Sequence, residues 1–150
     1  MNRNNLIILT DLALIPSFFL SACTGLQLHL AGHMGNMDLW HRTAALHTLF
    51  SLIFLVLALL HVFTHKAWYR NLPLHHMGKR TMVVLLTVIF AMTVLSGVYA
   101  LASDITRVGI LHYKTGIFLT ILGILHIIKR LRILKGFISR LITTKRRGDN

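Results

Sequence analysis

Only one cysteine, Cys23, occurs in the 150 residues, so the chain can close no internal disulfide and can build no cysteine-based zinc or iron–sulfur site. Acidic side chains are almost as scarce: four, all aspartate, against sixteen Lys and Arg, for a formal charge of +12. A nucleic-acid backbone attracts such an excess. Here, however, the cations lie between and after long apolar runs rather than along one soluble face, which is the pattern of helices anchored on an anionic leaflet. Membrane lipid, not nucleic acid, is therefore the expected partner. The chain also has no glycine-rich dinucleotide fingerprint and no room for a flavin domain. What it has in abundance is apolar residues, 55% with a mean hydropathy of +0.67, and ten histidines. Histidine in that quantity is anomalous in so apolar a chain.

Four apolar stretches, at about residues 6–31, 43–64, 81–102 and 108–128, each approach the ~20 residues of a spanning helix. Almost nothing is left for a soluble domain, so residues 1–150 read as one membrane domain with a hairpin at 6–64, a second at 81–128 and a basic segment at 129–150. The connections are short. The expected fold is all-α, an up-down-up-down bundle of four transmembrane helices in which the second and fourth are parallel. Lys66, Arg70, Lys79 and Arg80 lie between the second and third stretches and more cations follow Ile128, which puts both termini on the cytoplasmic side. In the C-terminal segment Leu131, Leu134, Ile138 and Leu141 recur at helical spacing among cations. Either an interfacial amphipathic helix or a solvated basic tail fits that pattern.

Leu20-Ser21-Ala22-Cys23 after an apolar run resembles a lipoprotein cleavage box. Asp11 interrupts the would-be signal core, and the apolar run continues past Cys23, which reads more simply as a small buried residue. Pro16 is expected to kink the first helix.

An internal repeat organises the chain. LHTLFSLIFLVLALLHV aligns without gaps on LHYKTGIFLTILGILHI at an offset of 65 residues, so His47 maps onto His112 and His61 onto His126. Thr24-Gly25 and Ser96-Gly97 are a weaker echo in the first and third helices. Fourteen residues separate the two histidines of each copy. At ~100° and ~1.5 Å per residue, that returns them to one helix face about 21 Å apart.

With the second and fourth helices parallel, His47 can face His112 at one depth and His61 can face His126 at the other. Each pair offers two axial ligands to a haem, six-coordinate and without an open site for oxygen. Small residues flank every ligand: Ser51 and Gly116 four positions after His47 and His112, Ala58 and Gly123 three before His61 and His126. They leave a flat macrocycle room near the backbone, as Gly25 and Gly97 could on the other helices. Phe54 and Leu119, midway between the ligands, would fill the intervening layer, although ordinary core packing explains that pair equally well. Ordinary core histidines bonded across helices are the bland alternative. The joint spacing, repeat and small-residue pattern favours ligation, because ionisable groups deep in a membrane are costly. One four-histidine zinc or copper site is excluded by the ~21 Å between layers, and a two-histidine zinc site is incomplete.

With these elements the chain resembles the di-haem membrane cytochromes b, and most closely a prokaryotic family of small four-helix cytochrome b-like domains without an assigned function. The resemblance covers residues 6–130 and rests on Asp11, Thr24-Gly25, His47, His61, His65 and Trp68 in LHVFTHKAW, and His112 and His126; Ala67 in HKAW is a departure. It implies two haem b groups, a place in a prokaryotic cytoplasmic membrane, and electron transfer without catalytic machinery of its own. The implied partners are dehydrogenase, cytochrome c or iron–sulfur subunits, or the quinone pool.

His65, one turn beyond His61, is expected to touch the haem edge, bind a quinone or snorkel to the interface; its repeat counterpart Arg130 suits a propionate. His29, His33 and His41 at the other side could relay protons, while His75 and His76 fall in the cytoplasmic loop. Asp11 is expected to pair with a loop cation. Two other functions stay open: a quinone-reactive or ferric-reductase-like subunit, and a haem-free metal or proton transporter.

Overall fold

The computed structural model describes residues 3–71, 77–103 and 106–148. Among them the fold is all-α, with four long helices and a short one: α1 Arg3–His33, α2 Met37–Thr64, α3 Lys66–Arg70, α4 Met77–Ala102 and α5 Thr106–Gly148. Four segments, Asn5–His33, Met37–Thr64, Arg80–Ala102 and Arg107–Arg130, are long and apolar enough to cross a bilayer. The chain is a multi-pass membrane protein, a four-helix bundle made of two hairpins.

The first hairpin turns at Gly35, whose φ of +66° lies in the left-handed region that a residue with a Cβ avoids. Asn36 then caps α2, its side-chain oxygen accepting a hydrogen bond from the Leu39 N–H at 2.9 Å. This cap starts α2 at Met37, six residues before the apolar stretch begins, and the added turns carry Asp38, His41 and Arg42, which a helix can project into the headgroups. α1 continues through Pro16, and the Ser17 hydroxyl donates to the Leu14 carbonyl at 2.9 Å. Downstream, the backbone runs as one helix from Thr106 to Gly148, straight through Gly136. The expected basic segment is thus helical and continuous with the fourth span. The side chains that would give it an amphipathic face lie outside the described residues.

Burial is inverted relative to a soluble bundle. Leu95 and Leu101, each 71% exposed, and Leu59, Phe118 and Ile128 face outward, where lipid tails solvate them. Buried positions include the hydroxyl residues Thr10, Ser17, Thr24, Thr43, Ser96 and Thr115. Small hydroxyl side chains let helices approach, and most return their O–H to the carbonyl one turn back, as Thr10 does to Leu6 at 2.8 Å and Ser96 to Met92 at 2.7 Å. These six hydroxyls then leave no donor of their own facing hydrocarbon. Cys23, expected to be buried, is exposed on this outward surface.

Close backbone approach occurs within each hairpin, α1 on α2 and α4 on α5, and to a lesser extent between α1 and α5. α2 and α5 meet through side chains instead. Between the two histidine layers, the Phe54 ring lies 5.7 Å from that of Phe18 and 5.8 Å from that of Phe90, and Leu119 is buried. An apolar plug at mid-depth is therefore present, with α1 and α4 contributing to it as well as α2 and α5.

Candidate histidine layers

His47 on α2 and His112 on α5 face each other across the bundle, ring centroids 6.0 Å apart and planes at 62°. Each ring is fixed by the other helix of its own hairpin. His47 Nδ1 lies 3.1 Å from the Ser21 carbonyl oxygen, and His112 Nδ1 lies 2.9 Å from that of Thr93. A carbonyl only accepts, so both Nδ1 atoms carry a proton, an arrangement that in the neutral imidazole leaves the lone pair on Nε2. The hydroxyls of Thr24 and Ser96 stand 3.4 Å from the same Nδ1 atoms.

The echo between the first and third helices is the other half of this clamp. A Cβ built on Gly25 would fall 2.9 Å from His47 Cε1, and one on Gly97 would fall 2.8 Å from His112 Cε1. The room expected for a macrocycle at these glycines is therefore taken by the imidazoles themselves. Ser21, Thr24 and Gly25 correspond to Thr93, Ser96 and Gly97, each 72 positions later, so the repeat extends to the helices that hold the rings.

Other small residues also do different things from those expected. Ser51 shares a 2.8 Å hydrogen bond with Ser21 and approaches His47 Nδ1 at 3.5 Å, so it fastens α2 to α1 rather than clearing space. At Gly123 a Cβ would meet Phe18 Cζ at 2.7 Å; an aromatic ring from α1 occupies that clearance. Gly116 faces open space, and Ala58 is buried.

The second layer is built differently. His61 Nδ1 lies 2.7 Å from Asp11 Oδ1, and His65 Nε2 lies 3.5 Å from the same oxygen. The His61 and His65 rings are 4.6 Å apart. His126 lies within electrostatic range of His61, Asp11, His65 and Arg130. Among the described residues Asp11 thus pairs with histidines inside the bundle, not with a loop cation. A single carboxylate in an apolar helix lowers its electrostatic cost by meeting the nearest donor.

His65 owes its place to the chain path, since it ends α2 and its N–H donates to the His61 carbonyl at 3.0 Å. Its Nε2 is buried, and among the described residues it has no hydrogen-bond partner beyond the long 3.5 Å approach to Asp11 Oδ1. The ligating atoms of Asp11, His61 and His65 lie within 4.8 Å of one another, close enough for one metal ion. Sequence reasoning missed Asp11 in this role. The available signal was that it is the only acid in the four apolar stretches.

At the opposite end of the bundle, His29 stacks on Tyr113 at 3.7 Å and 14°, and its Nε2 is 3.1 Å from that of His33. Tyr113 directly follows His112, so this pair adjoins the His47 layer. His41 packs edge-on against Trp40. His75 and His76 lie outside the described residues.

Comparison with family models, with curated proteins and with solved structures gives no match. The functional reading therefore rests on the site alone.

Proposed function

We propose that the chain is a membrane electron-transfer protein holding two b-type haems, one between His47 and His112 and the other between His61 and His126, and that it belongs to the cytochrome b-like family it resembles. The observation that carries this reading is the pair His47 and His112. Two metal–nitrogen bonds of ~2.0 Å, plus ~1.2 Å from each nitrogen to its ring centre, would separate the centroids of two imidazoles on opposite sides of one metal atom by ~6.4 Å; the observed separation is 6.0 Å. Both rings already present Nε2 as the acceptor, the form a metal ligand needs.

Haem held by a histidine of α2 and one of α5 in each layer would supply one-electron chemistry and would offer no site for oxygen. The protein's own contribution is orientation and dryness. Ser21 and Thr93 hold the rings of one layer, Asp11 holds His61 in the other, and Phe54, Phe90 and Leu119 keep water from between them. Arg130 is a candidate partner for a propionate at the His61 layer, and Gly116 leaves open space beside His112. The cations between α2 and α4 and in the C-terminal part of α5 support a topology with both termini and the His61 layer on the cytoplasmic side, and the family resemblance supports a prokaryotic inner membrane. Electrons then enter and leave through partner redox subunits or the quinone pool.

The test is optical. The purified protein reduced with dithionite should show a low-spin b-type spectrum and two haems per chain; a colourless preparation refutes the reading. A second reading, favoured by the Asp11–His61–His65 cluster, gives that layer to a non-haem divalent metal ion, with two imidazoles and a carboxylate as its ligands. One haem and one metal ion per chain by elemental analysis would decide for it.

A further inference from the structure

The two layers differ in the group that accepts the Nδ1 proton. In the His47 layer both acceptors are neutral backbone carbonyls, Ser21 at 3.1 Å and Thr93 at 2.9 Å. In the His61 layer the acceptor is a carboxylate, Asp11, at 2.7 Å. A hydrogen bond to an ionised acceptor is shorter and stronger than one to a carbonyl, and it passes negative charge onto the imidazole. The ring becomes a more basic ligand. A more basic ligand, with a fixed negative charge in a poorly screened span, favours the oxidised and more positive state of whatever metal it holds.

We infer that Asp11 makes the His61 layer the lower-potential of the two and so sets the direction of electron movement, from the His61 end of the bundle towards the His47 end. This rests on the electron-transfer reading above. The transfer balances with one electron: the centre in the His61 layer is oxidised by one unit as that in the His47 layer is reduced by one, and no proton or co-reactant is consumed.

Neighbouring charges do not reverse the sign. The cations at this end of the bundle, Lys66, Arg70, Arg80, Lys129 and Arg130, are all exposed at the ends of the spans. A charge there is better screened than that of Asp11 in direct contact with His61, even though Arg130 acts on His126. His65 shares the same Asp11 oxygen at 3.5 Å, longer than the direct bond to His61. At the other end Asp38 is exposed, and it lies nine residues before His47 on α2, or ~13 Å along the axis. The repeat supplies an internal control. The position equivalent to Asp11, 72 residues later, is Val83, so the carboxylate belongs to one hairpin only.

The experiment is an equilibrium redox titration of the full chain in detergent or lipid, with haem content measured alongside. Wild type should resolve two one-electron midpoints. Asp11→Asn keeps the size and an acceptor oxygen but removes the charge. It should raise the lower midpoint by at least a tenfold change in the reduction equilibrium, about 59 mV for one electron, and leave the upper midpoint and the two haems in place. Asp11→Glu should stay near wild type.

If Asp11→Asn loses haem, Val83→Asp takes over as the test, because a carboxylate offered to His126 should lower the same component further. A shift in the upper midpoint, or no shift in either variant with two haems bound, overturns the inference while leaving the electron-transfer reading intact. A wild-type chain without haem overturns both.

Discussion

The two histidine layers come from one repeated design, yet only one of them is symmetric. In the His47 layer each imidazole lies against a glycine of the preceding helix and donates to the carbonyl four residues before that glycine, in both hairpins. In the His61 layer, hairpin 1 supplies Asp11 and hairpin 2 supplies valine at the equivalent place. Symmetry fits a layer whose task is to hold two identical ligands. Its loss in the second layer marks where the halves came to differ in charge, at a cost that only a favourable partner makes tolerable inside a membrane.

The largest effect should come from removing a ligand. His112→Ala is expected to lower haem content from two per chain to one and to remove the spectral component of the His47 layer while sparing the other. Loss of both haems would mean that the layers do not form independently. The complementary variant, His126→Ala, should spare the His47 layer in the same way.

Gly97→Val tests the clamp itself. A Cβ alone would approach His112 Cε1 to 2.8 Å, and a branched side chain cannot be accommodated unless the ring leaves the Thr93 carbonyl. The expected outcome is a chain that folds but has one haem. Gly123→Ala is the matched control, since its Cβ would meet the Phe18 ring at 2.7 Å and no ligand. That variant should keep two haems and lose stability by ~1–3 kcal/mol through overpacking, measured by thermal or denaturant unfolding.

Much of this was legible in the sequence, for particular reasons. The spans follow from apolar run length, and the pairing of His47 with His112 follows from the fourteen-residue spacing, the 65-residue offset and the parallel placement of α2 and α5. Thr24-Gly25 and Ser96-Gly97 were visible as an echo, but their purpose was not. A glycine that makes room for a macrocycle and one that makes room for an imidazole look alike until the helices are packed. Asp11 and His61 are fifty residues apart on different helices, and no local periodicity joins them. The start of α2 at Met37 was hidden because Asp38, His41 and Arg42 interrupt the apolar run, and the Asn36 cap reveals it.

Ser51→Ala comes next in size. It removes the 2.8 Å bond to Ser21 that ties α2 to α1, and should cost ~0.5–1.5 kcal/mol of unfolding free energy with both haems retained. Because the equivalent residue in the second hairpin is Gly116, which has no hydroxyl to lose, the effect belongs to the first hairpin alone.

The smallest effect is expected from Thr24→Ala and Ser96→Ala. Each hydroxyl stands 3.4 Å from a ligand Nδ1, at the outer limit of a hydrogen bond, while the Nδ1 proton already has a carbonyl acceptor at 3.1 or 2.9 Å. Each hydroxyl also donates to a carbonyl of its own helix, Leu20 for Thr24 and Met92 for Ser96, whose oxygen keeps its backbone hydrogen bond when the hydroxyl is deleted. No buried group is stranded, so each variant should cost less than ~1 kcal/mol and leave both midpoints within a tenfold change in the reduction equilibrium. The two variants should behave alike, since one clamp operates in both hairpins. Unequal shifts in the His47-layer midpoint, seen in the same redox titration, would show that the symmetry of that layer is one of shape and not of electrostatics.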